Sequence, residues 1–308
     1  MYFDPVEAMD RAGLETLQAR RLRDTLAIAR QSPFYKERLA GFDIESIHTP
    51  ADITSLPFTT KDDLRSQYPY GLLTRPLENF VRLHASSGTT GTPTAVFYTQ
   101  KDLDTWADLM ARSMYACGCR RSDVLQNMSG YGLFTGGLGI HYGSERLGML
   151  TIPAGAGNTR RQIKLIRDFS VTVMHIIPSF ALYFAQKVHE EGFDTADMPW
   201  RIALIGAEPH TEEARRKIEE MMHIKAYNSY GLSEMNGPGV AFECEHQTGM
   251  HLWEDAYIAE IINPETGEHV AEGEIGELVM TTLTREGMPI IRYRTRDQTR
   301  FIPGQCAC

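Results

Sequence analysis

Val171-Thr172-Val173-Met174-His175-Ile176-Ile177-Pro178 is an apolar, β-branched run closed by a proline, and with its neighbours it decides the fold class. Its make-up predicts a buried strand over 171–177. Residues 179–191 then read as a helix, 202–205 as a strand, 210–222 as a helix and 225–229 as a strand. The alternation also runs backwards: 95–98, 124–128 and 149–153 read as strands, 100–117 and 159–169 as helices. Strands and helices alternating in this way predict βαβ units, hence an α/β fold with mostly parallel sheets covered by helices. Ligands of such sheets sit beyond the carboxyl ends of the strands. That rule singles out the post-strand loops 130–143, 206–209 and 230–234.

The two ends of the chain read differently. Residues 5–41 are helical by the recurrence of Leu14, Leu17, Leu22, Leu26 and Ile28, with Pro33 and Gly41 as punctuation. Thr60 before Lys61-Asp62-Asp63-Leu64 is a helix cap. Residues 1–75 are therefore expected to form a helical N-terminal region packed around the first sheet, with no evident chemistry, and 76–240 an α/β core. Past position 240 the helical period fades. Strands over 257–262, 277–283 and 290–294, parted by Asn263-Pro264-Glu265-Thr266-Gly267 and Glu272-Gly273, predict a smaller antiparallel β-rich segment over 241–308.

Composition narrows the function classes. At 308 residues, 42% hydrophobic and 23% charged, the chain has the make-up of a globular protein with a substantial core. A formal net charge of −9 argues against nucleic acid or a general membrane surface as partner. No apolar run approaches the roughly 20 residues that span a bilayer. The start, Met1-Tyr2-Phe3-Asp4-Pro5-Val6-Glu7, lacks the basic-then-apolar pattern of a secretory signal, so a cytoplasmic location is expected. In a reducing compartment the five cysteines are expected as thiols or metal ligands.

Chemistry is concentrated in four places. His84-Ala85-Ser86-Ser87-Gly88-Thr89-Thr90-Gly91-Thr92-Pro93-Thr94 sets four Thr, two Ser and two Gly into its last nine residues, after the alternating run Phe80-Val81-Arg82-Leu83. Glycines at 88 and 91 allow left-handed backbone, and successive N–H groups with hydroxyls make an anion-binding concavity suited to a polyphosphate. A plain polar hairpin turn fits the same composition. The Gly-Lys-Ser/Thr ending of a Walker loop is absent, which disfavours a phosphate-loop kinase or hydrolase. In Tyr227-Asn228-Ser229-Tyr230-Gly231-Leu232-Ser233-Glu234-Met235 a tyrosine can stack on a purine and a carboxylate can hold Mg²⁺. A polar loop with a core tyrosine is the bland alternative. Gly206-Ala207-Glu208-Pro209 offers close backbone approach and an acid able to accept from an amine or hydroxyl. Asp297, within Arg292-Tyr293-Arg294-Thr295-Arg296-Asp297, can accept from two ribose hydroxyls or be a salt-bridged surface acid.

The order and company of these pieces resemble the adenylate-forming superfamily. Tyr131-Gly132-Leu133-Phe134-Thr135-Gly136-Gly137-Leu138-Gly139 and Tyr293-Arg294-Thr295-Arg296-Asp297 resemble, more narrowly, the phenylacetate–coenzyme A ligases. The resemblance covers nearly the whole chain and implies the large N-terminal domain of that fold. It implies a ligase that turns ATP and an aromatic acid into an acyl-adenylate and then a coenzyme A thioester. It assigns the phosphates to Ser86, Ser87, Gly88, Thr89, Thr90 and Gly91, and Mg²⁺ to Glu234 as the catalytic carboxylate. The nucleoside falls to Gly206, Ala207, Glu208, Pro209, Asn228, Ser229, Tyr230, Gly231 and Asp297. Tyr131, Phe134, Ile205 and Pro238 are the candidate walls of the aryl pocket, whose tyrosine hydroxyl leaves room for a ring-hydroxylated acid. Phenylacetate, hydroxyphenylacetate, indoleacetate and benzoate-like acids all fit such a pocket, and a homodimer is an expectation carried by the family.

Two departures stand out. A lysine is frequent in the phosphate loop of such ligases, two residues after Thr90 or just after its proline. Here those positions hold Thr92 and Thr94, one counter-charge fewer. The resemblance also implies about 120 further residues, a C-terminal domain with a catalytic lysine, whereas this chain stops at Cys308. The expectation is a truncated ligase that binds nucleotide and completes little of the full reaction. A nucleotide- or acyl-adenylate-binding module without turnover is the alternative.

Cys306-Ala307-Cys308 lies at the chain end, with Cys244, His246 and His251 about sixty residues earlier. Thiolate and imidazole suit tetrahedral Zn²⁺, although Cys-x-Cys is tighter than the usual two-residue gap and inert thiols are the alternative. The resemblance implies a structural zinc held by Cys244, His251, Cys306 and Cys308, with His246 as substitute for His251, pinning the chain end.

Overall fold

The computed structural model describes residues 3–86 and 93–308. The expected phosphate ligands Ser87, Gly88, Thr89, Thr90 and Gly91 therefore lie outside the described residues, as does Thr92. In chain order the helices are α1 (Arg11–Ala29), α2 (Pro33–Arg38), α3 (Lys61–Ser66), α4 (Gln100–Ala116), α5 (Gly136–Leu147), α6 (Thr159–Asp168), α7 (Pro178–Glu190) and α8 (Glu212–Met222). The strands are β1 (Arg82–Ala85), β2 (Ala95–Tyr98), β3 (Val124–Asn127), β4 (Leu150–Ile152), β5 (Val173–His175), β6 (Ile202–Ile205), β7 (Lys225–Leu232), β8 (Gly237–Glu243), β9 (Met250–Leu252), β10 (Tyr257–Ile262), β11 (Gly276–Thr282) and β12 (Tyr293–Thr299).

The alternation over 124–232 builds a seven-stranded sheet of order β4-β3-β5-β6-β7-β8-β9. Strands β4, β3, β5, β6 and β7 pair in parallel, and β8 and β9 add antiparallel strands at one edge. Ile163, Phe184 and Ile218 from α6, α7 and α8 bury one face with Ala203 and Ile205 of β6. Trp106, Met110 and Met114 of α4, with Ile140 of α5, cover the other with Ile202 and Leu204. The βαβ reading holds because each helix keeps an apolar stripe while its strand is buried on both faces. Among the described residues no helix is long and apolar enough to cross a membrane.

Strand β7 switches partners. Its first half runs parallel to β6, with Ile205 opposite Asn228, and its second half runs antiparallel to β8, with Ser229 opposite Phe242. Residues 230–232 are therefore strand, and Glu234 sits in the 3₁₀ turn Ser233–Met235 after it, so the expected loop over 230–234 is corrected. Gly231 is required there, because a Cβ would lie 1.9 Å from the Gly237 carbonyl oxygen. Half of the expected loop over 130–143 is likewise helix α5, since Gly137, Gly139 and Gly143 let it press against the Gly130 backbone, Trp106 and Met110. The seven-stranded sheet also runs past position 240, through β8 and β9 to Leu252.

A second sheet, β10-β11-β12, is antiparallel. The N-terminal helical region packs mainly on this sheet, and it also reaches the cover of the first sheet through α4, where Glu7 pairs with Arg112 and the Phe3 ring lies 5.8 Å from Tyr115. Thr59 bridges to Tyr293, the Gln18 amide donates to the Glu254 carbonyl at 2.8 Å, and the Tyr35 hydroxyl accepts from the Ile291 N–H at 2.9 Å. Buried Arg292 joins the two parts: it pairs with both carboxylate oxygens of Glu260 on β10, at 3.0 and 2.7 Å, and donates to the carbonyls of Thr54 and Leu56. Leaving one member of a buried ion pair alone is strongly destabilising, whereas replacing both by apolar groups is not. Arg292→Met leaves Glu260 with His269 Nε2, 2.9 Å from Oε1, as its remaining side-chain partner among the described residues. The substitution is expected to lower unfolding stability by up to about 3 kcal/mol, read as a drop in the urea midpoint, and adding Glu260→Leu should recover much of it. A single variant indistinguishable from wild type would show that the pair does not hold the N-terminal region.

Candidate functional site

The carboxyl ends of β3, β6 and β7 open on one side of the sheet, and three stretches meet there. The first is the β1–β2 hairpin. Ala85 pairs with Ala95, and beyond that pair the Ser86 N–H donates to the Thr94 carbonyl at 3.1 Å. Ser86 and Thr94 thus close the neck of the Ser/Thr/Gly loop. His84, two residues before Ser86, is buried, and its Nδ1 lies 3.0 Å from the Leu133 carbonyl, which also accepts the Ala85 N–H at 3.0 Å.

The second stretch is β6–β7. Gly206 is needed because a Cβ there would lie 2.5 Å from the Ser229 hydroxyl oxygen, which itself donates to the Ile205 carbonyl at 3.1 Å. Ala207 takes a left-handed φ of 68°, turning the 206–209 backbone across the strand ends. The Asn228 N–H donates to Glu243 at 2.7 Å. Glu208 differs from its expected use: its carboxylate accepts from both the N–H and the hydroxyl of Ser179, at the start of α7. An acid at a helix N-terminus satisfies an orphan donor and the helix dipole, so this side chain is committed to α7.

The third stretch is β12. Four steps from Arg294 to Gln298 face two from Val279 to Glu277 on β11, so 295–297 bulge out of the ladder. Arg296 carries the bend at φ 68°. Bulges re-aim side chains, and here the bulge presents Asp297 to Tyr230, whose hydroxyl donates to Oδ2 at 2.5 Å. Burial, and then the Asp297 carboxylate, raise the Tyr230 phenol well above its ordinary value, so it stays a neutral donor. From this pair a cleft of about 1000 Å³ runs past Ala241 and Leu278 to Cys306.

Glu234 is buried behind the same opening. Its Oε1 accepts from the Tyr293 hydroxyl at 3.1 Å and lies 3.8 Å from Lys61 Nζ. Both partners are on Oε1 among the described residues, which leaves Oε2 as a hard oxygen suited to Mg²⁺. Lys61 is the residue that the sequence reading misses. It is the first residue of α3, and the Thr59 bridge to Tyr293 delivers it together with Tyr293. The Thr60 cap is the only local signal at that place.

Of the four candidate pocket residues, the structure gathers three around the start of α5. Tyr131 and Phe134 are exposed in the β3–α5 loop, and Pro238, whose carbonyl accepts from Trp106 Nε1 at 2.9 Å, lies against Gly139. Ile205 is not among them. Fully buried, it packs on the opposite face with Ile163, Phe184 and Ile218, because alternate residues of a strand face opposite sides.

At the far end of the cleft Cys244, His251, Cys306 and Cys308 each offer a ligand atom, all within 4.8 Å of one another. Cys244 Sγ lies 3.6 Å from Cys306 Sγ, and Cys308 Sγ 3.4 Å from His251 Nε2. A tetrahedron with Zn–S near 2.3 Å has edges of about 3.8 Å, slightly less toward nitrogen, so these residues fit the ion. The Cys308 backbone N–H and the Thr248 hydroxyl draw the Cys306 thiol down to about 6, whereas burial pushes Cys308 up to about 12. His251 belongs to the group because β9 sets it opposite Phe242, beside Cys244. His246 does not belong to it. Cys117 and Cys119 are buried elsewhere, with sulfurs 3.9 Å apart.

Comparison with known proteins bears on the family and the fold. A family model described as AMP-binding enzyme matches residues 53–283. The chain is 48% identical over 305 residues to the phenylacetate–coenzyme A ligase of Pseudomonas putida, covering 98% of this chain and 70% of that protein. It is 46% identical over 306 residues to the phenylacetate–coenzyme A ligase of Escherichia coli K12, again covering 70% of that protein. A solved structure of a 2-hydroxyisobutyryl-CoA ligase in complex with 2-HIB-AMP and CoA superposes with a TM-score of 0.90 at 26% identity, over 97% of this chain and 73% of that one.

Proposed function

The chain belongs to the phenylacetate–coenzyme A ligases of the AMP-binding enzyme family, and from that membership we propose that it activates an aromatic acid of the phenylacetate kind with ATP. A carboxylate is a poor electrophile until a good leaving group is attached. Attack of the acid oxygen on the α-phosphorus of ATP releases pyrophosphate and forms the mixed anhydride with AMP; the coenzyme A thiol then attacks the acyl carbon and AMP departs. The observation that carries this reading is the Tyr230–Asp297 contact of 2.5 Å, which sets a ring able to stack on adenine beside a carboxylate able to take the ribose hydroxyls. Ser86 and the loop residues Ser87, Gly88, Thr89, Thr90 and Gly91 would receive the β- and γ-phosphates. Gly206, Ala207 and Pro209, with Asn228, Ser229 and Gly231, would border the base through backbone.

Glu234 would hold Mg²⁺, which when bound offsets phosphate charge. Tyr293 and Lys61 fix the orientation of its Oε1. Lys61 also stands where a phosphate cation is wanted, since Thr92 and Thr94 supply none. Tyr131, Phe134 and Pro238 would wall the aryl ring. The helical region 1–75, the core 76–240 and the β segment 241–308 would act as one nucleotide-binding unit. Cys244, His251, Cys306 and Cys308 would hold a structural zinc that ties the chain end to β8 and β9. A cytoplasmic setting belongs to the same reading.

Pyrophosphate release by the 308-residue chain, measured with ATP, Mg²⁺ and a panel of aromatic acids, is expected with phenylacetate-like acids; silence with every acid, together with absence of ATP binding, would overturn the assignment. Lys61→Ala is expected to weaken binding of a non-hydrolysable ATP analogue on the order of tenfold, with Lys61→Arg restoring most of it. Equal affinities by calorimetry would remove Lys61 from the site. Elemental analysis of purified protein should find stoichiometric zinc, lost in Cys306→Ser, and chelation should expose residues 303–308 to limited proteolysis. Zinc-free protein with a protected chain end would remove the metal.

A further inference from the structure

The stretch that carries two walls of the candidate acid pocket is tied to the rest of the chain at one carbonyl. Residues 130–134 are exposed throughout, so no buried side chain anchors them. Their backbone, among the described residues, makes hydrogen bonds to other stretches only through the Leu133 carbonyl. That oxygen takes the Ala85 N–H and faces His84 Nδ1, each at 3.0 Å. The Tyr131 hydroxyl adds side-chain contacts to Asn127 Nδ2 and His141 Nδ1 at 3.0 and 3.2 Å. A carbonyl only accepts, so His84 Nδ1 carries the proton whether the imidazole is neutral or charged. His84 Nε2 is buried with no hydrogen-bond partner among the described residues. The ring stands edge-on to Tyr98 and Trp106, its centroid 5.6 and 5.9 Å from theirs. Trp106 Nε1 donates to the carbonyl of Pro238, the third wall.

An unpaired buried nitrogen costs stability, as a bare lone pair or as an N–H. A phenylalanine would occupy the same space without that cost, and the Leu133 carbonyl would keep the Ala85 N–H. What phenylalanine lacks is a proton for the second lone pair of that carbonyl. We propose that His84 is a positioning residue for the acid: through Nδ1 it sets the Leu133 carbonyl, and with it Tyr131 and Phe134, against the neck of the Ser/Thr/Gly loop. This rests on those two side chains walling the acid pocket, as in the proposed function. The neck itself closes without the imidazole, through the Ala85–Ala95 pair and the Ser86 N–H on the Thr94 carbonyl. Loss of the Nδ1 proton therefore falls on the acid and spares the nucleotide.

The test compares equilibrium binding of phenylacetyl-sulfamoyl adenosine with that of sulfamoyl adenosine, which lacks the acyl group, to the 308-residue chain and its variants. The ratio of the two affinities isolates the acyl group. His84→Phe is expected to cut that ratio about five- to tenfold and to change sulfamoyl adenosine affinity less than about twofold. Its urea midpoint should equal or exceed that of the wild type. His84→Asn sets an amide N–H where Nδ1 stands and should recover most of the ratio, although it loses ring packing and stability. His84→Gln, whose amide reaches the Nε2 position, should not recover it. A packing role alone gives the opposite order, with His84→Phe nearest the wild type. The full ratio retained in His84→Phe overturns this inference and leaves the proposed function standing, as does His84→Asn binding no better than His84→Gln. If His84→Phe fails to fold, the Asn and Gln pair decides. A wild type that gains nothing from the acyl group overturns the acid pocket and this inference with it.

Discussion

A fully buried guanidinium ties the nucleotide end of the molecule together. Arg285, between β11 and β12, donates to the Glu234 carbonyl at 3.0 Å and to the Phe97 carbonyl at 2.9 Å, and lies 4.9 Å over the Tyr98 ring. Those contacts join the hairpin that carries Ser86 and Thr94, the turn that carries Glu234, and the connection leading into the Asp297 bulge. Among the described residues no carboxylate lies within ion-pair distance of it. A buried cation without a counter-ion is costly, so two carbonyls and an aromatic face have to compensate for it, and none can move without leaving charge bare. Asp102 on α4 reinforces the same connection, accepting from the N–H groups of Glu286 and Gly287 at 2.8 and 3.2 Å.

How much of this is legible in sequence depends on the range of the interactions. The parallel half of the large sheet is readable because each βα unit carries its own signals: an apolar strand, a cap such as Thr99 or Thr211, and an apolar helical stripe. Strand β8 is not readable, since Gly237-Pro238-Gly239 has the local signature of a turn and becomes strand only through its pairing with β7. Tyr230, Glu234 and Asp297 are readable as a company of motifs. Lys61 is not, because a lysine opening a short helix looks like a solvated surface residue, and only the Thr59–Tyr293 bridge brings it to Glu234. Ile205 and Glu208 show the same limit from the other side. Their spacing suits the site, but which face a strand residue takes, and whether a nearby helix start claims an acid, depend on tertiary packing.

The Ser/Thr/Gly stretch carries no lysine. With Thr92 and Thr94 in the loop, the cations that reach the Glu234 turn come from elsewhere in the chain: Lys61 from α3 and Arg285 from the β11–β12 connection. The two act differently. Lys61 is 39% exposed in its side chain, so its field is screened and sensitive to salt. Arg285 is buried, and its field is constant whether or not a nucleotide is present. Charge placed on the N-terminal region and not on the loop makes the site depend on how that region docks. The docking is two-directional: the Thr59 N–H donates to the Arg292 carbonyl and the Arg294 N–H to the Thr59 carbonyl, both at 2.9 Å. Loosening that single residue from β12 withdraws Lys61 from Glu234 while Tyr293, on β12 itself, stays. The N-terminal helices in this sense position Lys61 beside Glu234, although none of their residues carries a phosphate-binding motif.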